Sequence, residues 1–161
     1  MPFTVNDILS ADMLKTLSLF ILIGGAVHVR AQMPSYYPTR PSDPKAVYLV
    51  KGDFPVHADG VGDDAPALQQ AIDRVDATSR NGIVFIPEGA YRLSKTVYVY
   101  RGIRLIGYGK RRPVLLLAAS TPGYQSGEGK YMLYFAHNRT TPGEPPMDGT
   151  EGTLFSGLNN I

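Results

Sequence analysis

The chain has 161 residues, a formal net charge of +2, no cysteine, 17 glycines and 13 prolines. That length suffices for one domain with a core, and the weak charge argues against a nucleic-acid or acidic-surface partner. Without cysteine there is no disulfide framework, thiolate metal site or cysteine nucleophile, and the glycine and proline content favours many turns over long helices.

The first 31 residues read as a signal peptide. Lys15 precedes an apolar run over 17–27, and Val29-Arg30-Ala31 places small residues where a signal peptidase reads. The run is too short to span a bilayer, which takes about 20 residues. Cleavage after Ala31 is expected, with Met13 a better start than Met1. The rival reading is a buried core helix. Localisation is expected to be secreted or periplasmic, with no membrane association after cleavage.

Residues 32–46 follow as an extended arm. Four prolines fall within "QMPSYYPTRPSDPK", which excludes a helix or a central strand.

The stretch "DGVGDDAPALQQAID", residues 59–73, passes from turn to helix. From Ala65 onward, Leu68, Ala71, Ile72 and Val75 form one apolar stripe, while Gln69, Gln70, Asp73, Arg74 and Asp76 take the other faces. Asp64 is the expected N-cap, with its carboxylate accepting from the first turn. Pro66 fits that turn, Asp63 favours the positive end of the dipole, and Gly60 and Gly62 permit the turn. A calcium loop would need alternating oxygen ligands and then a bidentate glutamate. This spacing is absent, so capping is the expectation, with an active-site carboxylate pair as the alternative. No metal or cofactor is expected.

Beyond the helix come short β-rich runs at 83–86, 91–93, 97–100, 103–106 and 114–117, separated by Gly, Pro and Asn turns. Strands this short need stacking on neighbours to persist. An all-β solenoid follows, with the one amphipathic helix laid over its first rung as a cap. An alternating β/α fold would demand more crossover helices.

These residues resemble the pectate lyase superfamily of right-handed parallel β-helix proteins. "DFPVHADGVGDDAPALQQAID" is similar to the opening pattern DFGAxGDGxTDDTxAIQxAID through Asp53, Phe54, Asp59, Gly60, Asp63, Asp64, Ala67, Gln69, Ala71, Ile72 and Asp73. "IVFIPEGAYRLS" and "IRLIGYG" resemble the next strand and rung turn. Pro55, Val56, Ala58 and Gly62 depart from the pattern. The resemblance covers about residues 47 to 117. It implies a domain over 47–161 that begins a right-handed parallel β-helix. Softer likeness in "TPGYQSGEGKYMLYFAHNR" and "TLFSGLNNI" points toward bacterial relatives of exo-β-1,3-glucanases.

The resemblance implies an exported polysaccharide-acting enzyme, with glycoside hydrolysis through two carboxylates first. The alternatives are a pectate-type lyase and a non-catalytic carbohydrate-binding or tailspike-like adhesion module. Tyr124, Gln125 and His137 are the candidate sugar contacts, set against roles as a loop anchor and a satisfied strand-end group. Catalytic residues are not assigned: Glu128, Glu144, Asp148 and Glu151 show no acid/base spacing. "NRT" at 138–140 matches the glycosylation pattern, and strands are expected at 131–136 and around 153–161. The chain stops at "SGLNNI" without a helix, proline or charge cluster to close a solenoid. A truncated product is therefore expected, inactive by itself over 32–161.

Overall fold

Short alternating strands bury one face only if other strands close over it, and the chain meets that demand by returning to the same sheets. The computed structural model describes residues 33–127, 129–137 and 155–161. The strands are β1 (Val47–Tyr48), β2 (Asp59–Asp63), β3 (Gly82–Pro87), β4 (Ala90–Leu93), β5 (Val97–Tyr100), β6 (Ile103–Tyr108), β7 (Val114–Leu117), β8 (Leu133–Ala136) and β9 (Gly157–Asn159). One helix, α1 (Ala65–Ser79), lies between β2 and β3. The signal-peptide reading, the glycosylation pattern and Glu128, Glu144, Asp148 and Glu151 lie outside the described residues.

Three parallel sheets result, in the orders β1-β3-β6-β9, β2-β4-β7 and β5-β8. From β3 onward the chain visits them in the same sequence on each pass, so every strand but β5, the first of its sheet, lies beside its counterpart from the pass before. Gly82 faces Ile103, Val97 faces Leu133 and Arg104 faces Gly157. The offset widens, yet the pairing stays parallel. The alternation of β4 turns Tyr91 and Leu93 inward, and β5 sends in Val97 and Val99. Together with Val84, Ile86, Ile103 and Leu105 they make a core with no solvent exposure. Each such aliphatic side chain contributes roughly 1.5–3 kcal/mol by burial.

The outer face of the first sheet is also covered. Phe85 stacks on Tyr48 at 5.2 Å and meets Tyr108 edge-on at 6.3 Å, while the Arg40 guanidinium sits 4.0 Å over the Tyr48 ring. The proline-rich arm supplies that arginine. It also runs along the turn after β6, where Gly109 N–H donates to Tyr37 O at 2.8 Å and Arg112 N–H to Met33 O at 3.1 Å.

Helix α1 buries Leu68, Ala71, Ile72 and Val75, the expected stripe, together with Ala65 and Ala67. It packs on β5, β3 and β1. Gln69, read from sequence as outward, has a different task. Its Oε1 accepts from Tyr98 N–H at 2.8 Å and its Nε2 donates to Tyr98 O at 3.2 Å. Edge strands leave such groups open, and one glutamine side chain here satisfies a residue of β5 as a neighbouring strand would.

Two strands differ from the sequence expectation. β1 has only two residues and carries no pattern. β2 is made of the turn residues themselves: Asp59 pairs with Ala90 and Asp63 with Arg92, with a register shift between them. The intervening residues bulge out.

Candidate functional site

The three aspartates of the helix-leading turn are committed to the backbone. Asp59 Oδ1 accepts from the N–H groups of Val61 at 2.8 Å and Gly62 at 2.9 Å, and these bonds hold its carboxyl below the usual range. Asp63 accepts from Ala65 N–H at 3.2 Å, Ser94 N–H at 3.1 Å and Ser94 Oγ at 2.5 Å. Burial works against its charge, but the Ser94 hydroxyl and the Ala65 and Ser94 N–H groups outweigh it and lower the pKa.

Asp64 corrects the capping expectation. It stands at the N-cap position, yet its side chain makes no bond to the first turn. Fully buried, it reaches back to accept from His57 N–H at 2.6 Å and Ala58 N–H at 3.0 Å, with His57 Nδ1 at 3.2 Å. Ala58 sits at φ 56°, in the left-handed region that disfavours a Cβ. The carboxylate therefore fixes a strained lead-in, and the donor left at the helix start goes to Asp63. The His57 ring lies where a Cβ on residue 62 would stand, which explains why Gly62 is found where the resembling pattern has threonine.

Both Asp59 and Asp63 titrate below the ordinary carboxylate value of 3.8. A depressed folded pKa adds stability that is complete above the unfolded value and disappears as pH falls through the folded one. Thermal melts are therefore expected to be level from neutral pH to about pH 5 and to fall below about pH 4. Ser94→Ala should cost about 1–2 kcal/mol at neutral pH and converge on the parent as Asp63 protonates. Parallel curves down to acid would refute the Asp63–Ser94 coupling.

The open concavity lies elsewhere, at the corner where the chain leaves the β5-β8 sheet for the β1-β3-β6-β9 sheet. Its volume is about 1080 Å³. Arg80 comes from the end of α1, Arg101 from the β5–β6 turn and Arg104 from the exposed face of β6. Tyr100, His137 and Phe155 complete the wall, and Asp76 is its one carboxylate among the described residues. The corner is held by tight backbone packing. Gly82 N–H donates to Gly102 O at 3.1 Å, and Gly102 N–H donates to Ser156 Oγ at 3.1 Å. Gly102 has φ 78°, and a Cβ there would meet Asn81 Oδ1.

The candidate sugar contacts separate. His137 lines this concavity, and its buried Nδ1 has no hydrogen-bond partner. The Tyr124 hydroxyl ties its loop down, 2.6 Å from Thr96 Oγ1 and donating to Tyr131 O at 3.0 Å. Gln125 is exposed beside it. Tyr124 thus anchors near the start of β5 and β8, and His137 stands just past the far end of β8. The arginines escaped sequence reading.

Residues 49–161 match the family described as rhamnogalacturonase A/epimerase, pectate lyase-like, and the chain belongs to it. Mannuronan C5-epimerase AlgE3 of Azotobacter vinelandii is 38% identical over 72 residues, covering 40% of this chain and 4% of that protein. Glucan 1,3-beta-glucosidase of Cochliobolus carbonum is 41% identical over 49 residues, covering 30% of this chain and 6% of that protein. The surface adhesin PfbA of Streptococcus pneumoniae aligns with a TM-score of 0.42 at 24% identity, over 60% of this chain and 19% of that one. The chain spans a small part of the length of each. Among the described residues no helix is long and apolar enough to cross a membrane.

Proposed function

We propose that this chain forms the first passes of a right-handed parallel β-helix, closed by α1, in an exported protein that acts on a polysaccharide by glycoside hydrolysis. Residues 1–31 are then the signal peptide, 32–46 the surface arm and 47–161 the solenoid. The observation that carries the reading is the family match over residues 49–161, which falls on strands that return to the same three sheets. Two relatives support the substrate class, one named for mannuronan and one for a glucan. The polar corner, open and lined by Tyr100, Phe155 and His137, has the mixture of flat rings and hydrogen-bonding groups that a sugar chain needs. His137 is the candidate contact that lies in it. Tyr124 and Gln125 would serve a second contact at the other end of β8. Hydrolysis requires two carboxylates across the scissile bond, and these are not assigned.

A second reading, uronate chemistry of the lyase type, is favoured by the three arginines of the corner. The test is to express the uninterrupted reading frame that contains these residues and incubate it with β-1,3-glucan, polygalacturonate and mannuronan. New reducing ends without ultraviolet-absorbing unsaturated products are the expected outcome. Unsaturated products would replace hydrolysis by elimination. Binding with neither would leave a carbohydrate-binding module.

A further inference from the structure

A strand in a stacked coil touches the strands on either side of it and little beyond them. The proline-rich arm departs from that rule at the β1-β3-β6-β9 sheet. At one end Tyr48 of β1 holds it: the hydroxyl donates to Pro41 O at 2.8 Å and accepts from Asp43 N–H at 3.0 Å, with Arg40 over the ring. In the middle it lies on the turn after β6, where Gly109 N–H donates to Tyr37 O. At the other end it meets Asn160, directly after β9. Asn160 Oδ1 accepts from Tyr36 N–H at 3.0 Å across 124 residues of sequence, and its Nδ2 donates to Ser35 Oγ and to Gly107 O, both at 2.7 Å. Asn160 is buried and stands at φ 57°, a left-handed conformation that asparagine tolerates better than most side chains. The dimensions agree. An extended chain from Tyr36 to Pro41 covers about 16 Å, and the three strand spacings from β1 to β9 make about 14 Å.

We propose that residues 35–43 are a latch: docked across the sheet, they make the opening of β9 depend on a hold at β1, three strand spacings away. The latch is independent of what the protein acts on. A nearest-neighbour stack opens first at its end strand, which has a partner on one side only. Among the described residues β9 pairs with β6 alone, and none of its residues is buried. Its own packing therefore holds it weakly, and Asn160 is its further attachment. The arm is weakly held in turn, since Tyr36 and Tyr37 are exposed and its hydrogen bonds gather at Tyr48, at the turn after β6 and at Asn160. Pro38 and Pro41 fix two of its φ angles and so lower the entropy lost when it lies extended. Two segments that each have little local stability raise it by sharing a connection. Release at β1 then loosens β9, and release at Asn160 loosens the arm as far as Asp43.

The experiment is amide hydrogen exchange of the whole chain, read segment by segment. Tyr48→Phe keeps the ring that stacks on Phe85 and removes the hydroxyl that holds the arm. Asn160→Gly keeps the left-handed backbone accessible and removes the amide. Lys51→Gln, at an exposed position beyond β1, is the control. Tyr48→Phe is expected to speed exchange of the amides of 157–160 about tenfold, and Asn160→Gly to speed that of the Asp43 amide about as much. The amides of β4 should keep the parent rate in both, and Lys51→Gln should match the parent throughout. Faster exchange confined to the neighbourhood of each substitution would overturn the latch and leave an arm that adheres piecemeal. Faster exchange everywhere, β4 included, would also overturn it, because the variants would then be loosening the whole domain. If Asn160→Gly does not fold, Tyr48→Phe decides alone: unchanged exchange at 157–160 overturns the latch.

Discussion

Asp64→Ala is expected to destabilise the protein by about 2–4 kcal/mol, well beyond the ~1 kcal/mol typical of a lost N-cap. The carboxylate is fully buried and accepts from two successive backbone N–H groups, those of His57 and Ala58. Truncation leaves both donors without a partner and releases Ala58 from a left-handed conformation it holds under strain. Burial, and then the nearby negative charge of Asp64, push the Tyr91 hydroxyl above its ordinary pKa. Asp64→Asn should recover only part of the loss, because one of its two oxygens becomes a donor facing a donor. Urea melts of the two variants decide the matter. A cost near 1 kcal/mol for Asp64→Ala would restore the simple capping role.

Ile72→Asp should be worse. Ile72 has no solvent exposure and sits in the middle of the stripe that α1 lays on the core. An aspartate there has no cation to pair with in the cluster, and an unpartnered buried charge costs several kcal/mol. Whole-domain stabilities are about 5–15 kcal/mol, so the expected result is a protein recovered mainly as aggregate. Ile72→Val, which removes one methylene, should cost only about 0.5–1.5 kcal/mol and remain soluble. A soluble Ile72→Asp protein melting within a few degrees of the parent would mean that α1 is not packed as described.

The limits of β5 and β7 coincide with their sequence runs, because Val-Tyr-Val-Tyr and Val-Leu-Leu-Leu are unbroken runs of β-branched, aromatic or aliphatic residues set between turn segments. The stripe of α1 was equally legible, since 3.6-residue periodicity is a local property. β2 was not. Its residues Asp59–Asp63 have turn chemistry, and only the partner strand β4 makes them a strand. The true acceptor role of Asp64 was hidden for a similar reason: an N-cap position signals a carboxylate, not the direction in which it points. The corner arginines are far apart in sequence and are assembled by register alone.

The widening offset between paired strands, from Gly82–Ile103 through Val97–Leu133 to Arg104–Gly157, has an evolutionary consequence. Closing a longer connection costs only about 0.6 kcal/mol for each doubling of its length. A connection can therefore lengthen between strands while the strands keep their partners. Selection can rewrite what lies outside the sheets without renegotiating what lies between them. Descendants of one ancestral coil could in this way diverge in the surfaces they present while remaining the same object inside.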